Sequence, residues 1–388
     1  TNYHVMEAIE HDVLIFWFET PPKVSKGAFN YVTRNWGNQV YYICYNDYPE
    51  YRKKINWNDG DFGSAKVCIL SEQKNPDEII EKMFSENPNA IHVLPGFDNI
   101  IERKLRPYTL TGKYRFIAFS ERPVTMGNYF ELRLRKIYFQ YKYRKLHKLL
   151  DPYISAFLPL GEKGVDTFAA YGWSRNKMYP FMYNPVNNKD QSIVTKKRDA
   201  GTPIRFLYIG RFYFKTKGID TLLKATYGLE GDWGLDLVGG YGKQASQVIR
   251  WVEAHPNIRY LGCWQSKDVC NKITDYDVVV IPSKYDGWNL LVNEAINAHT
   301  GVITTDQAVS DEIITASGAG MVIPANNPSA MRKAMQQVID NPETVWEWKK
   351  KAAAFSDRIS PETVGKYLIQ ILENSIYHIG GHPQCPWL

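Results

Sequence analysis

The chain has 388 residues, 44% of them apolar and 23% charged, a balance that excludes a disordered or fibrous protein and leaves room for about two domains. The apolar run at residues 13–18 is too short to cross a bilayer and no charged-then-apolar leader opens the chain, so a membrane span and a signal peptide are not expected. The five cysteines are odd in number and fit no zinc spacing, which predicts a reduced, cytosolic protein without metal or disulfide staples, while a net charge of +6 leaves anionic substrates, nucleic acid and membrane surfaces open.

In chain order, apolar runs at 12–18, 40–44, 66–70, 90–94 and 114–119 read as strands. Helical patterns separate several of them, such as 77–85 after Pro76. This alternation predicts a doubly wound parallel sheet. Residues 129–150 read as a basic amphipathic helix. Arg133, Arg135, Lys136, Lys142, Arg144, Lys145 and Lys148 stand against Glu131, with Leu134, Ile137, Tyr138 and Tyr141 at helical spacing. Such a helix either lies on an anionic membrane or presents an ordinary solvated face. Residues 195–203 are polar with Gly and Pro and read as a linker. The alternation then restarts, with strands at 204–210, 234–238, 258–261, 278–281, 301–304 and 320–323 and a helix opening at 218. Ser360-Pro361 is a helix-start signature for 361–376. The predicted fold is α/β, with two doubly wound Rossmann-like domains facing across a cleft.

The chemistry concentrates in the second half. A buried-strand run at 278–281 leads through a polar loop with Gly287, Trp288 and Asn289 into a helix near Leu290. Free N–H groups and the dipole of that helix favour an anion. Asp286 and Glu294 flank the turn, placed to accept hydroxyls of a sugar and a ribose around a diphosphate; an N-cap Asp beside a surface Glu is the bland alternative. Upstream, Gly210-Arg211 ends a strand and Lys217-Gly218 opens a helix, with Lys215 a competitor for Lys217. Two fixed cations suit a diphosphate leaving group without a metal. Gly239 and Gly240 follow another strand and allow close backbone approach to a nucleotide. Gly262, Cys263 and Trp264 follow the next; Trp264 either covers a base or packs between helices. Asp59-Gly60-Asp61 and Asp275-Tyr276-Asp277 look like paired metal ligands, but a magnesium site needs more oxygens than either supplies.

The Asp286–Glu294 spacing with Gly210-Arg211 and Lys217-Gly218 resembles the retaining nucleotide-sugar glycosyltransferases of family 4, which have the GT-B fold. Asp286 stands where that family usually has Glu, and Trp288-Asn289 replace its common Phe-Gly. The resemblance implies a donor domain at 196–365, an acceptor domain at 1–195, and a C-terminal helix and tail, 366–388, returning to the acceptor domain. It implies donor contacts from Lys26 and Gly27 and base reading after Gly262. The family's His at an N-terminal strand end is missing, so Glu121 is the candidate there and His92 a weaker one, His being more often a core residue. The implied reaction is metal-independent transfer of a sugar, UDP-linked by default and GDP-linked as the rival, to a hydroxyl of a glycan or lipid-linked acceptor in surface polysaccharide or glycolipid synthesis. It places the protein in the cytoplasm or at the inner membrane face. A GT-B-fold epimerase and a non-catalytic nucleotide-sugar binder are the alternatives. Nucleic acid is disfavoured as a partner, because the motifs predict one compact phosphate site rather than a basic stripe.

Overall fold

The computed structural model describes residues 10–49, 60–123, 129–185, 193, 195, 197–199, 201–240, 242 and 244–388. Asp59, and residues 196 and 200 of the expected linker, lie outside the described residues.

Strands β1 (Leu14–Phe18), β2 (Val40–Cys44), β3 (Lys66–Ile69), β4 (Ile91–Leu94), β5 (Arg115–Ser120) and β6 (Ile154–Pro159) form one sheet. Strands β7 (Ile204–Gly210), β8 (Trp233–Gly239), β9 (Ile258–Tyr260), β10 (Val278–Ile281), β11 (Gly301–Thr305) and β12 (Gly320–Ile323) form the other. The strand orders are β3-β2-β1-β4-β5-β6 and β12-β11-β10-β7-β8-β9, and all the pairings are parallel. Both are therefore the same doubly wound arrangement. The strand order reverses between β1 and β4 in the first sheet and between β7 and β10 in the second, and ligands bind beyond the carboxyl ends of strands at such points. The central strands are apolar throughout because helices cover both faces: β1 and β10 are buried at every residue.

Strand β6 is the one the sequence reading does not single out. Ser155 and Pro159 interrupt its apolar run, and it lies directly after the long helix Tyr129–Leu150.

The helix Pro361–Tyr377 starts where Ser360 caps it, the Ser360 hydroxyl accepting the Thr363 N–H at 3.2 Å. It lies on the first domain along its whole length. A Cβ on Gly365 would be 2.5 Å from the Tyr31 ring, His11 Nε2 is 3.1 Å from Glu373, and Asp12 N–H donates to the Tyr377 hydroxyl at 2.8 Å. A boundary at 366 would cut this continuous helix. The tail then comes back to the second domain, where fully buried Trp387 donates its indole N–H to Glu312 at 2.8 Å. Glu312 also accepts the Glu162 N–H of the first domain at 2.8 Å, and Lys163 pairs with Asp311 at 2.6 Å. One apolar cluster runs through both domains and this returning helix.

Candidate active site

Three glycines end adjacent strands of the second sheet in a row. Gly210 pairs with Gly239 in the β7–β8 register, and Gly239 N–H donates to Gly262 O at 2.8 Å. At Gly239, with φ of 125°, a Cβ would lie 2.0 Å from Gly210 O, so only glycine lets these strand ends close up. Gly240 continues the turn, and Cys263, exposed, donates its thiol to Gly239 O at 2.9 Å. Arg211 follows Gly210 and is exposed over the Tyr213 ring, 5.6 Å from its centroid.

Across the switch point lies the loop after β10. Lys217 Nζ sits 2.7 Å from Asp286 Oδ1, while Lys215 is exposed. Asp286 Oδ2 accepts the Ser283 hydroxyl at 2.7 Å and the Asn289 amide at 2.8 Å. Asn289 also caps the helix Leu290–Asn297, accepting Leu291 N–H at 3.1 Å. The Lys284 and Tyr285 amides both donate to Thr216 O, at 2.8 and 3.2 Å. The loops carrying Arg211–Lys217 and Asp286 are thus tied into one unit. Glu294 lies half-buried on that same helix. Burial pushes its carboxyl up to about 7, opposed by the Lys23 ammonium of the first domain.

The first domain supplies the opposite wall. A cavity of about 460 Å³ lies beyond β1, β4 and β5, lined by Glu19, Lys23, Phe97, Ser120, Glu121 and Tyr183 among others. Glu121 keeps an open flank, but its carboxyl group is crowded. Loss of water raises it above the usual range, against the Tyr183 hydroxyl that donates to it at 2.5 Å. Arg122 donates to Gln307 O at 3.3 Å, and the Tyr285 hydroxyl donates to Arg122 O at 3.0 Å, so this corner of the cleft is closed.

Several expected contacts fall elsewhere. Lys26 is 1% exposed under Phe62 and does not line the cavity. Gly27 is buried, donating its N–H to Asn184 O at 2.8 Å. Gly27 docks the start of helix Lys26–Asn35 onto residues 184–185, and Lys23 is the cation that reaches the cleft. Trp288 is buried with its indole N–H on Asn293 Oδ1 at 2.9 Å, which makes it an internal brace. Leu290 packs against the same core, as does half-buried Trp264, with Tyr276 beside it and Lys272 over its ring. Asn289 acts on Asp286 rather than on the cavity. His92 is a core residue: its Nδ1 takes the Trp17 indole N–H at 3.2 Å, and burial pushes its ring down to about 3. Asp275-Tyr276-Asp277 is structural, with Tyr276 hydrogen-bonded to Asp236 and Asp277 to the Arg205 amide. Among the described residues no group of three His, Cys, Asp or Glu side chains comes together to hold a metal.

Three comparisons bear on this arrangement. Residues 190–355 match the family model described as glycosyl transferases group 1. That span takes in the whole second sheet with Arg211, Lys217, Asp286 and Glu294. The architecture is GT-B. An uncharacterized glycosyltransferase of Methanocaldococcus jannaschii is 25% identical over 158 residues, which is 40% of this chain and 44% of that relative. The chain thus matches less than half the length of this curated relative. The GT-B fold extends over nearly the whole chain. HepE of Anabaena, solved in complex with UDP, has a TM-score of 0.70 at 10% identity, covering 94% of this chain and 100% of its own. WaaG, a glycosyltransferase involved in lipopolysaccharide biosynthesis, has a TM-score of 0.60 at 13% identity, covering 92% and 99%.

Proposed function

We propose that this GT-B protein is a retaining, metal-independent glycosyltransferase that moves a sugar from a UDP-sugar to a hydroxyl of a glycan or lipid-linked acceptor. The observation that carries the reading is the Lys217–Asp286 pair held between the two tied loops, with exposed Arg211 on the first loop and Glu294 on the helix that follows the second. Arg211 and Lys217 neutralise the diphosphate as charge builds on it, the role a metal would otherwise fill. Asp286, pinned by Ser283 and Asn289, holds Lys217 in place and faces the hydroxyls of the sugar. Glu294 accepts the ribose hydroxyls. Glu121 closes on the sugar from the first domain, and the adjoining cavity takes the acceptor. The bond between C1 and the diphosphate oxygen breaks, the acceptor oxygen bonds to C1 from the same face, and the acceptor proton passes to the departing phosphate. The UDP bound by HepE supports uracil as the base, and the role of WaaG supports a surface polysaccharide or glycolipid product.

A lipid-linked acceptor is favoured by the helix Tyr129–Leu150. Leu134, Ile137, Tyr138 and Tyr141 are 54%, 59%, 56% and 70% exposed, beside exposed Arg133, Lys136, Arg144 and Lys145. An apolar stripe turned outward among cations suits the surface of an anionic bilayer. No helix among the described residues is long and apolar enough to cross one. In this reading the protein is cytoplasmic and peripheral at the inner face.

The test is transfer from UDP-sugars to hydroxyl acceptors with EDTA present, with the product anomer read by NMR. Transfer with the donor's anomeric configuration kept is the expected result. An inverted product, or a strict metal requirement, would overturn the mechanism; donor conversion without acceptor would favour an epimerase.

A further inference from the structure

A second cavity, of about 510 Å³, opens at the opposite end of the second sheet. It lies at the starts of β7 and β8, near Arg205 and Trp233, whereas the candidate active site lies past their ends at Gly210 and Gly239. Five or six residues of strand separate the two, roughly 15–20 Å at the rise of an extended chain.

Its charges do not cancel. Lys197, Arg198, Arg205, Arg259 and Lys349 line it against Asp236, Asp275 and Asp277. Asp236 is already saturated: Arg259 donates twice to it, at 2.8 and 2.7 Å, and the Tyr276 hydroxyl once, at 2.8 Å. Asp277 accepts the Arg205 N–H at 2.9 Å. Lys349 and one nitrogen of Arg198 keep unmet donors. Lys349 is only 8% exposed and has no hydrogen bond or ion pair among the described residues. Arg198 donates through Nη2 to Thr202 and Pro203 and pairs with Asp277 Oδ1 at 3.5 Å, but its buried Nε has no hydrogen-bond acceptor. A largely buried lysine side chain without a protein acceptor is a ready donor to an anion. Burial also pulls Lys349 below the usual lysine range, with Asp277 opposing. A ligand with several acceptor oxygens would satisfy both donors at once.

We propose that this cavity is a second binding site for a small phosphate-bearing anion, held by Lys349 and Arg198. Phosphate supplies the oxygens these donors lack, and the remaining volume accommodates a small organic group. The site takes Lys197, Arg198, Thr202 and Pro203 from just before β7 and Lys349 from the helix Glu343–Phe355. It is independent of the reaction proposed above.

Calorimetric titration of the full chain with inorganic phosphate and with glycerol 3-phosphate tests it, on wild type, Lys349→Met and Arg211→Ala. Saturable binding to wild type is expected, weakened about tenfold or more by Lys349→Met, the loss of one charged hydrogen bond, and unchanged by Arg211→Ala. Tighter binding of glycerol 3-phosphate would identify an organic phosphate as the ligand, and equal binding the free ion; both support the site. Lys349→Gln repeats the measurement should the Met variant not fold. No saturable binding to folded wild type, or binding lost in Arg211→Ala and kept in the Lys349 variants, would overturn it.

Discussion

Glu121 and Gly287 meet across the cleft so closely that a Cβ on Gly287 would lie 2.0 Å from Glu121 Oε2. One belongs to the end of β5 and the other to the loop after β10. The absence of a side chain at 287 is what lets the two domains bring a carboxylate against the turn that carries Asp286.

Gly287→Ala should therefore push the Glu121 carboxylate out of this corner. The contact lies between domains and outside either sheet, so the melting temperature should change little. Transfer should fall by more than about tenfold, since a misplacement of about 1 Å near reacting groups can cost a hundredfold. Steady-state kinetics with a UDP-sugar would check this, and wild-type kcat/KM in the variant would show that the contact is incidental.

Arg211→Ala and Lys217→Ala should each reduce kcat by about 10²–10³, the usual loss on removing one preorganised group that stabilises developing charge. Both side chains are at least partly exposed, so the variants should fold. Glu294→Ala should likewise lose activity by orders of magnitude. Asp286→Glu restores the commoner family residue and should be tolerated, with Lys217 still paired. Near wild-type transfer in both Arg211→Ala and Glu294→Ala would end the site assignment.

Glu294 gives donor binding a pH dependence. Its carboxyl is raised to about 7 by burial, so it is protonated below that pH and ionised above it. A ribose hydroxyl needs the ionised form as acceptor. UDP affinity should fall as pH drops through about 7, and Glu294→Gln should flatten that profile. Calorimetry between pH 5.5 and 8.5, both roughly one and a half units from neutrality, resolves the two outcomes.

Glu312 links stability to pH at the seam between the domains. Burial raises it from an ordinary 4.5 to about 7, even though it accepts the Trp387 and Glu162 N–H groups. The folded chain thus holds this proton more tightly than the unfolded chain. Its stabilising contribution is complete below about 4.5 and is lost as pH rises through about 7. Glu312→Gln should reduce the fall in stability across that window, measured by urea unfolding. An identical slope in the variant would show that Glu312 does not titrate there.

Vesicle flotation tests the basic helix. Arg144→Gln with Lys145→Gln should weaken binding to anionic vesicles by about 2 kcal/mol, roughly thirtyfold, at about 1 kcal/mol per charge. Binding that is absent in wild type at every salt concentration would sink the membrane reading.

Both sheets were largely legible because buried parallel strands are short apolar runs punctuated by helices. Residues 204–210 and 278–281 were expected as strands and are found as strands at the same positions. The carboxylate and cation motifs of the second domain were legible for a related reason: a strand, a loop and a helix start place their residues by local spacing alone. Lys23 was missed in favour of Lys26. They are three positions apart, and only the packing of the start of the helix decides that Lys26 is buried against Phe62 while Lys23 faces the cleft.

The sequence by itself determined the parallel sheets, the Asp286–Glu294 turn and the cations that accompany it, because each depends on residues a few positions apart. Only the tertiary structure decided that Glu121 reaches Gly287, that Trp288 is an internal brace, that the stripe of Tyr129–Leu150 faces outward, and that Trp387 closes on Glu312. The Glu121 and Trp387 contacts depend on which surfaces meet when residues 75 or more apart are packed. Burial, and with it the character of a side chain, is set by that packing and not by its neighbours in the chain.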